Sequence, residues 1–287
     1  MRDSKSKYTN IKLIGKGPSK FQVFLKITLG AATVLFAAGA IYTVIKSANE
    51  TEKQFIAVES LHGSVDELSN PQAFVAAYVS ANASDDLLPT IHTLRASGTV
   101  DNGQIVENFT VIKQKPDRSL FILDRKTYKM TFGVSDDTVW RRIRTPQRED
   151  SYELLEGVEA DMWKNQRRFF NRIIEVYLGY GRIISINPEI YERTECLKVT
   201  TTDPSTEIVD IFVDLETMLV IAEQKKTTEG TLKETRFEDY RDVSGLQVPF
   251  KVTATVAGEI VTQVILEEVK LNSGIISNLF EMPDSAL

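Results

Sequence analysis

A run of 19 uncharged residues, Ile27 to Ile45, is the feature that most restricts what this chain can fold into. It lies between Lys26 and Lys46 and consists mainly of apolar residues with small Gly and Thr residues among them. A helix of that length would reach roughly 28 Å, which is close to the hydrocarbon thickness of a bilayer. The run therefore predicts a transmembrane signal-anchor helix over residues 21–46.

The charges on the two sides of this run differ in sign. Residues 1–20 carry six basic side chains and one acidic side chain, whereas residues 46–287 carry 27 basic and 39 acidic ones. Basic flanks stay on the cytoplasmic side of a membrane. The sequence therefore predicts a single-pass protein of the bacterial inner membrane, with a basic cytoplasmic tail at 1–20 and a periplasmic C-terminal domain.

A cleaved signal peptide is the alternative to an anchor, and it would release the domain into the periplasm. Residues 38–40, Ala-Gly-Ala, resemble a signal peptidase site. Against cleavage, the apolar run is longer than a usual signal core, and residues 41–45 continue it without a polar break. The single cysteine, Cys196, cannot form an internal disulfide. We expect it to be a small buried hydrophobe on a strand.

The remaining chain predicts a stalk at residues 47–69 and one domain at residues 70–287. No linker, repeat or low-complexity tract divides the second range. Asn70 followed by Pro71 predicts a helix start, since Asn caps helices and Pro suits their first turn. A second helix is predicted at residues 158–177 from the spacing of its apolar residues.

Strands are predicted between and after these helices. Residues 127–134 alternate between apolar and polar, which indicates a sheet with one buried face. Residues 101–103, Asp-Asn-Gly, are a hairpin signal, and residues 145–157 predict an acidic loop. The apolar row of the alternating strand consists of Tyr128, Met130, Phe132 and Val134. Five strands before the second helix and six after it predict an α+β fold with one long antiparallel sheet wrapped around helices.

Three segments resemble the LolA/LolB-like family, which comprises the outer-membrane lipoprotein carriers and their relatives. The family's Y-x-x-V-x-G-x-x-x-P turn matches residues 240–249, its R-P…D-G-x-x-x-W stretch is similar to residues 115–140, and its L-N…F…P close is similar to residues 271–283. The residues at these motif positions are Lys115, Pro116, Asp136, Trp140, Tyr240, Val243, Gly245, Pro249, Asn272, Phe280 and Pro283. The resemblance covers roughly residues 70–285 and implies an incomplete antiparallel β-barrel of about eleven strands, with helices covering its concave face.

The resemblance also implies a function: binding of a lipid, acyl chain or lipoprotein in the space between the half-barrel and its helical lid. Some relatives are sensors in envelope stress signalling. The alternative is therefore an envelope regulatory, sensor or assembly protein that binds a protein partner through the same domain. Two positions depart from the family pattern, since Lys115 replaces the arginine before the proline and Ser119 replaces an aromatic residue. A tethered chain suits a binder fixed at the inner membrane better than a soluble shuttle.

No catalytic or metal-binding constellation is visible in the sequence. His62 and His92 are far apart, and neither a G-x-S-x-G motif nor a P-loop is present. We therefore predict a protein that is not an enzyme and has no cofactor and no metal, and an acidic exported domain is not expected to bind nucleic acid. The candidate ligand-binding residues are Lys115, Tyr128, Met130, Phe132, Trp140, Trp163, Phe170 and Ile174.

The second helix is the predicted lid. Its proposed covering face consists of Trp163, Phe170, Ile174 and Tyr177. We expect this face to pack on the sheet near Trp140 and the row that contains Phe132, either lining an acyl cavity or forming plain core. Two basic clusters, at residues 141–144 and 167–172, could hold lipid phosphates or could pair with acids such as those at 149–156.

Overall fold

The computed structural model describes residues 62–84, 86–125, 127–166, 168–202, 207–227, 230–275 and 277–283. The predicted cytoplasmic tail, the predicted transmembrane helix and most of the predicted stalk lie outside these residues. Within them, no helix has the length and apolar character needed to span a membrane.

The described part of the chain contains five α-helices, one 3-10 helix and thirteen strands. The helices are α1 (Val65–Leu68), α2 (Pro71–Asn82), α3 (Leu87–Thr90), α4 (Gly157–Asn165), α5 (Arg172–Tyr177) and the 3-10 helix Ser277–Phe280. The strands are β1 (Thr93–Asp101), β2 (Val106–Gln114), β3 (Arg118–Asp124), β4 (Lys129–Ser135), β5 (Thr138–Thr145), β6 (Arg148–Leu154), β7 (Arg182–Tyr191), β8 (Thr194–Thr202), β9 (Ile208–Asp214), β10 (Val220–Lys226), β11 (Leu232–Val243), β12 (Leu246–Val256) and β13 (Glu259–Leu271).

All thirteen strands form one sheet in the order β6-β5-β4-β3-β2-β1-β13-β12-β11-β10-β9-β8-β7. Every pair is antiparallel, and only β1 and β13 are neighbours in space without being neighbours in the chain. The chain therefore runs from the centre of the sheet to the β6 edge, then passes through α4 and α5 to the β7 edge, and finally returns to the centre. This route lays the two helices across one face, which we call the helix-covered face; the other is the outer face.

The prediction of an α+β fold with one antiparallel sheet and helices on it is confirmed, but the strand count of eleven is wrong. The two additional strands, β6 and β7, are the edges of the sheet, on either side of the helical insert. β6 lies within the segment 145–157 that was predicted to be a loop. Most of its residues are exposed. An edge strand of this kind lacks the apolar alternation by which strands are predicted from sequence.

The first long helix begins where the sequence predicted. The Asn70 side-chain oxygen accepts hydrogen bonds from the backbone N–H groups of Gln72 and Ala73, at 3.0 and 3.1 Å, and Pro71 occupies the first turn. The preceding helix α1 packs against α2 through Leu68, which is buried. The packed structure therefore includes the last residues of the range predicted as a stalk.

The predicted continuous helix at 158–177 is wrong, because a non-helical segment separates α4 from α5. The buried side chain of Lys113, on β2, reaches this segment from the sheet. Its ammonium donates hydrogen bonds to the backbone oxygens of Gln166, at 2.8 Å, and Arg168. Burial lowers the pKa of Lys113 to about 7. The carbonyl groups at the end of α4 thus find a partner on the sheet instead of in a further helical turn.

The apolar core on the helix-covered face has two parts. The first lies beneath α4, where the Trp163 ring stacks on Phe132 with 4.1 Å between the ring centroids. The second lies beneath α2 and α5 and includes Phe74, Tyr78 and Ile174. Both parts exclude water from one long sheet, so the described helices cover its two halves separately.

Trp140 lies on the outer face, so the prediction that it packs beside the lid is wrong. In the β4–β5 ladder it is paired with Gly133, whereas Phe132 on the opposite face is paired with Arg141. Its indole N–H donates a hydrogen bond to the backbone oxygen of Phe280, at 2.8 Å. The 3-10 helix therefore covers part of the outer face, where Trp140 and Phe280 form a small separate cluster.

Candidate functional site

A cavity lies between the start of α5 and the central strands of the sheet. The empty space in and around it, counted together with the space that is open to solvent, amounts to about 830 Å³. The roof residues are Phe169, Phe170, Asn171 and Ile174, and the floor comes from β1 and β10 to β13. Its polar lining residues are Asn171, Glu223, Tyr240 and Gln247. The other lining residues in the described part of the chain are all apolar, as in pockets that bind hydrocarbon groups.

The β11–β12 turn directly precedes cavity-lining residues of β12, and its sequence is one of the three segments that carry the family resemblance. Ser244 and Gly245 have φ angles of 55° and 89°, as a two-residue hairpin turn of this hand requires. The backbone oxygen of Gly245 accepts a hydrogen bond from the Ser84 N–H, at 3.2 Å. The Tyr240 hydroxyl donates a hydrogen bond to a backbone oxygen of β10, at 2.8 Å. These contacts fix the turn, so that the following residues 246–249 line the cavity.

Two of the polar lining residues use their hydrogen bonds inside the protein. The side-chain nitrogen of Asn171 donates to the Tyr78 hydroxyl, at 2.9 Å. Its side-chain oxygen accepts from the backbone N–H groups of Ile173 and Ile174, at 3.1 and 3.0 Å, and thereby caps α5. The Tyr240 hydroxyl donates its hydrogen bond to the backbone oxygen of Val220 in the sheet. Asn171 and Tyr240 therefore hold the roof and the floor of the cavity in place.

Glu223 on β10 is different. Its side chain is 2% exposed, and neither carboxyl oxygen has a hydrogen-bond partner among the residues that the structure describes. Burial raises the pKa of this carboxyl to about 8, although the charges of Arg172 and Arg168 act in the opposite direction. At neutral pH the group is therefore mostly the uncharged acid, which can donate one hydrogen bond and accept others.

The predicted basic clusters are largely paired with acids. The buried guanidinium of Arg172 is hydrogen-bonded to the carboxylate of Glu207, and Lys225 binds the other oxygen of the same carboxylate. At the other cluster, Arg144 binds Asp150 through two nitrogens, with a shortest distance of 2.7 Å. The structure thus favours the pairing alternative over phosphate binding at these positions.

The structure brings only two of the eight predicted ligand-binding residues to the cavity, Phe170 and Ile174. Lys115 lies just outside it, with its ammonium 4.8 Å from the centroid of the Phe170 ring and hydrogen-bonded to the backbone oxygen of Leu88, at 3.0 Å. Four more of the predicted residues belong to the part of the apolar core beneath α4: Tyr128, Met130, Phe132 and Trp163. Trp140 is on the outer face. A ligand-binding role for these six residues stays a prediction.

Sequence reasoning missed most of the cavity lining. Tyr240 and Pro249 belong to the motif that carried the family resemblance, and their positions in that motif could have identified them. Glu223 had one signal, since it is an acid that directly follows the apolar residues 218–222. That signal was ambiguous because simple alternation from Val220 puts Glu223 on the outer face.

Comparison with known structures identifies the fold. The chain is similar to the crystal structure of a LolA superfamily protein from Nitrosomonas europaea, with a TM-score of 0.50 and 12% identity over 72% of this chain and 97% of that one. It is also similar to an outer membrane lipoprotein-sorting protein domain from Vibrio parahaemolyticus, with a TM-score of 0.43 and 10% identity over 74% of this chain and 97% of that one. The first of these similarities shows that the chain has a LolA-like fold. No family model matches the sequence, and no curated protein matches it.

Proposed function

We propose that this chain binds the acyl chain of a lipid or lipoprotein in the cavity between the sheet and α5. The observation that carries the proposal is the cavity itself, which lies beneath the roof residues and has a mainly apolar lining. Apolar space of this kind favours the transfer of hydrocarbon from water by roughly 25 cal/mol per Å² of buried surface. The LolA-like fold supports the proposal, because the space between sheet and lid is where the family resemblance placed the ligand.

The proposed location is the periplasmic side of the inner membrane. Residues 21–46 would hold the chain in the bilayer with its basic tail in the cytoplasm, in accordance with the charge difference between residues 1–20 and 46–287. An anchored domain would stay close to the lipids that could supply its ligand. This arrangement suits capture at one membrane better than transport between two.

Binding is favoured over catalysis by the chemistry of the lining. In the described part of the cavity Glu223 is the single carboxyl group, and no nucleophile lies beside a base that could activate it. The other polar lining groups with assigned bonds, Asn171 and Tyr240, hold backbone and side-chain partners of the protein. The site therefore offers shape and apolar surface to a ligand.

Native mass spectrometry of the full chain, extracted from cells in a mild detergent, tests this function. We expect adducts whose masses correspond to lipids or fatty acids. Val248→Trp would fill the cavity from its floor and should abolish these adducts. Val261→Trp is the matched control, because Val261 is a partly exposed residue that does not line the cavity. Repeated absence of lipid from the unmodified chain, or equal adducts in both variants, would contradict the proposal.

A further inference from the structure

We propose that Glu223 is the polar anchor of the cavity and that its protonated carboxyl donates a hydrogen bond to the carbonyl oxygen of a bound acyl chain. The inference rests on the proposed function and narrows its ligand class. Since Glu223 is buried beneath the roof, the carbonyl must belong to a compact end group. A single-chain fatty acid, or its small ester or amide, that enters the cavity with its carbonyl end first meets this requirement.

A local irregularity of the sheet turns Glu223 toward the cavity. The pairing between β9 and β10 shifts register between Val220 and Ala222. Val220 packs in the core of the helix-covered face, while Ala222 is paired with Phe212 and belongs to a cluster on the outer face. The next residue, Glu223, is paired with Ile211 and so returns to the helix-covered face. The extra residue in the bulge places a carboxyl where alternation would have placed a residue of the opposite face.

The unpaired state of this carboxyl is what indicates a ligand. A buried polar group without a partner loses the free energy of its hydrogen bonds to water, and native structures contain few such groups. The charged and titratable groups around it are Arg168, Arg172, Glu207 and Lys225, with the hydroxyls of Tyr78 and Tyr240. Arg172, whose charge acts on the Glu223 carboxyl more strongly than that of the other cations, is hydrogen-bonded to Glu207. A ligand carbonyl would accept a hydrogen bond from the protonated Glu223 carboxyl and leave the ion pairs of Glu207 with Arg172 and Lys225 intact.

The remaining lining selects among possible ligands. A hydrocarbon chain suits the apolar floor, and an acyl carbonyl suits an uncharged acid that donates a hydrogen bond. A phosphate head group would need a cation inside the cavity. The polar lining residues in the described part of the chain are Asn171, Glu223, Tyr240 and Gln247, none of which is basic. An acyl chain whose carbonyl reaches Glu223 therefore uses both features of the site.

Equilibrium dialysis of the full chain in amphipol tests the anchor, with amphipol alone as the blank. The radiolabelled probes are methyl laurate, which has an ester carbonyl, and tridecane, which has none. Glu223→Met keeps the side-chain volume and removes the donor, so it should weaken methyl laurate binding roughly two- to tenfold and leave tridecane binding equal or stronger. Glu223→Gln keeps an N–H donor and should retain methyl laurate binding within about twofold.

Two further comparisons separate this role from a structural one. Gln224→Met is the matched control, because Gln224 is the next residue on β10 and its side chain binds Glu234, at 2.8 Å, outside the cavity lining; it should change neither affinity. In the unmodified chain the preference for methyl laurate over tridecane should fall as the pH rises through about 8, because the donor proton is lost. Glu223→Gln should not show this fall.

The possible failures are distinct. Unchanged methyl laurate binding in Glu223→Met would overturn the proposed hydrogen bond from Glu223 and leave the proposed function intact. Equal loss of both probes in Glu223→Met, together with a lower melting temperature, would also overturn it by showing a purely structural role. If the unmodified chain bound neither probe, the proposed function would fail together with the anchor.

Discussion

The two helices of the insert lie on the same face of the sheet and cover it in different ways. Trp163 on helix α4 is buried against the rings of Phe132 and Phe121, with 4.1 and 5.5 Å between ring centroids, in a core of buried apolar residues. Ile174 on helix α5, and Phe170 just before this helix, lie above the central strands, where empty space remains beneath them. One half of the sheet is thus packed for stability, and the centre keeps room for another molecule.

The difference originates in the break between the helices. If residues 158–177 formed one helix, Trp163 and Phe170 would share a face and pack in the same way. Instead, Lys113 binds the carbonyl groups that end α4, and Asn171 begins a new helix by capping α5. Two polar contacts therefore separate a structural half of the lid from a half that roofs the cavity.

Trp163→Ala should have the largest effect on stability. Removal of a fully buried aromatic ring from a filled core typically costs about 3–5 kcal/mol. Urea unfolding followed by circular dichroism would measure it. Val158→Ala, on the same helix at a position that is 87% exposed, should change the unfolding free energy by less than about 0.5 kcal/mol. A loss below about 1 kcal/mol for Trp163→Ala would mean that α4 does not fill the core.

Phe170→Ala should destabilise the protein by less, roughly 2 kcal/mol, because one side of the ring borders empty space and fewer contacts are lost. The same change should weaken acyl binding, which Trp163→Ala in a correctly folded chain should leave unchanged. Measuring the unfolding free energy and methyl laurate dialysis on one sample would check both effects. A stability loss as large as that of Trp163→Ala with no change in binding would make Phe170 ordinary core.

The cavity region should also respond to pH in a way that the filled region does not. The pKa of Glu223 is raised from its ordinary value of 4.5 to about 8, so its stabilising contribution is complete below about 4.5 and is lost as the pH rises through 8. Between pH 5 and 8 the unmodified chain should therefore lose stability relative to Glu223→Gln, by at most about 1.4 kcal/mol per pH unit.

Paired unfolding curves of these two proteins would measure that difference. The pKa of Lys113 is lowered to about 7, so this residue raises the free energy of unfolding as the pH rises from 7 toward 10.5. Lys113 is present in both proteins, and its contribution therefore cancels in the comparison. Parallel pH curves for the unmodified chain and Glu223→Gln would show that the carboxyl is not held uncharged.

Tyr177→Ala should have the smallest effect. The sequence placed Tyr177 on the covering face of the lid, yet its side chain is 50% exposed at the end of α5. We expect a change within about 0.5 kcal/mol and unaltered acyl binding, as for most surface substitutions. A larger loss in thermal or urea unfolding would extend the covering face of α5 beyond Ile174.

Local sequence determined the features that depend on neighbouring residues only. The cap formed by Asn70, the hairpin at residues 101–103 and the buried strand position of Cys196 were all predicted and are confirmed. The sheet face on which Trp140 lies could also have been predicted from the sequence, because a two-residue turn joins β4 and β5 and pairs Trp140 with Gly133. Alternation and turn length fix such details because each involves a few bonds along one chain segment.

Tertiary structure decided the site. Lys113 lies on a strand far away in the sequence, and its ammonium binds the backbone oxygen of Gln166 where α4 ends. No local pattern at residues 158–177 predicts that contact. Glu223 faces the cavity because the pairing of β9 with β10 inserts a bulge, which shifts its side chain to the face opposite the one that alternation predicts. The sequence could place an acid directly after an apolar run, but only the assembled sheet determines that this acid is buried beneath the lid without a hydrogen-bond partner among the described residues.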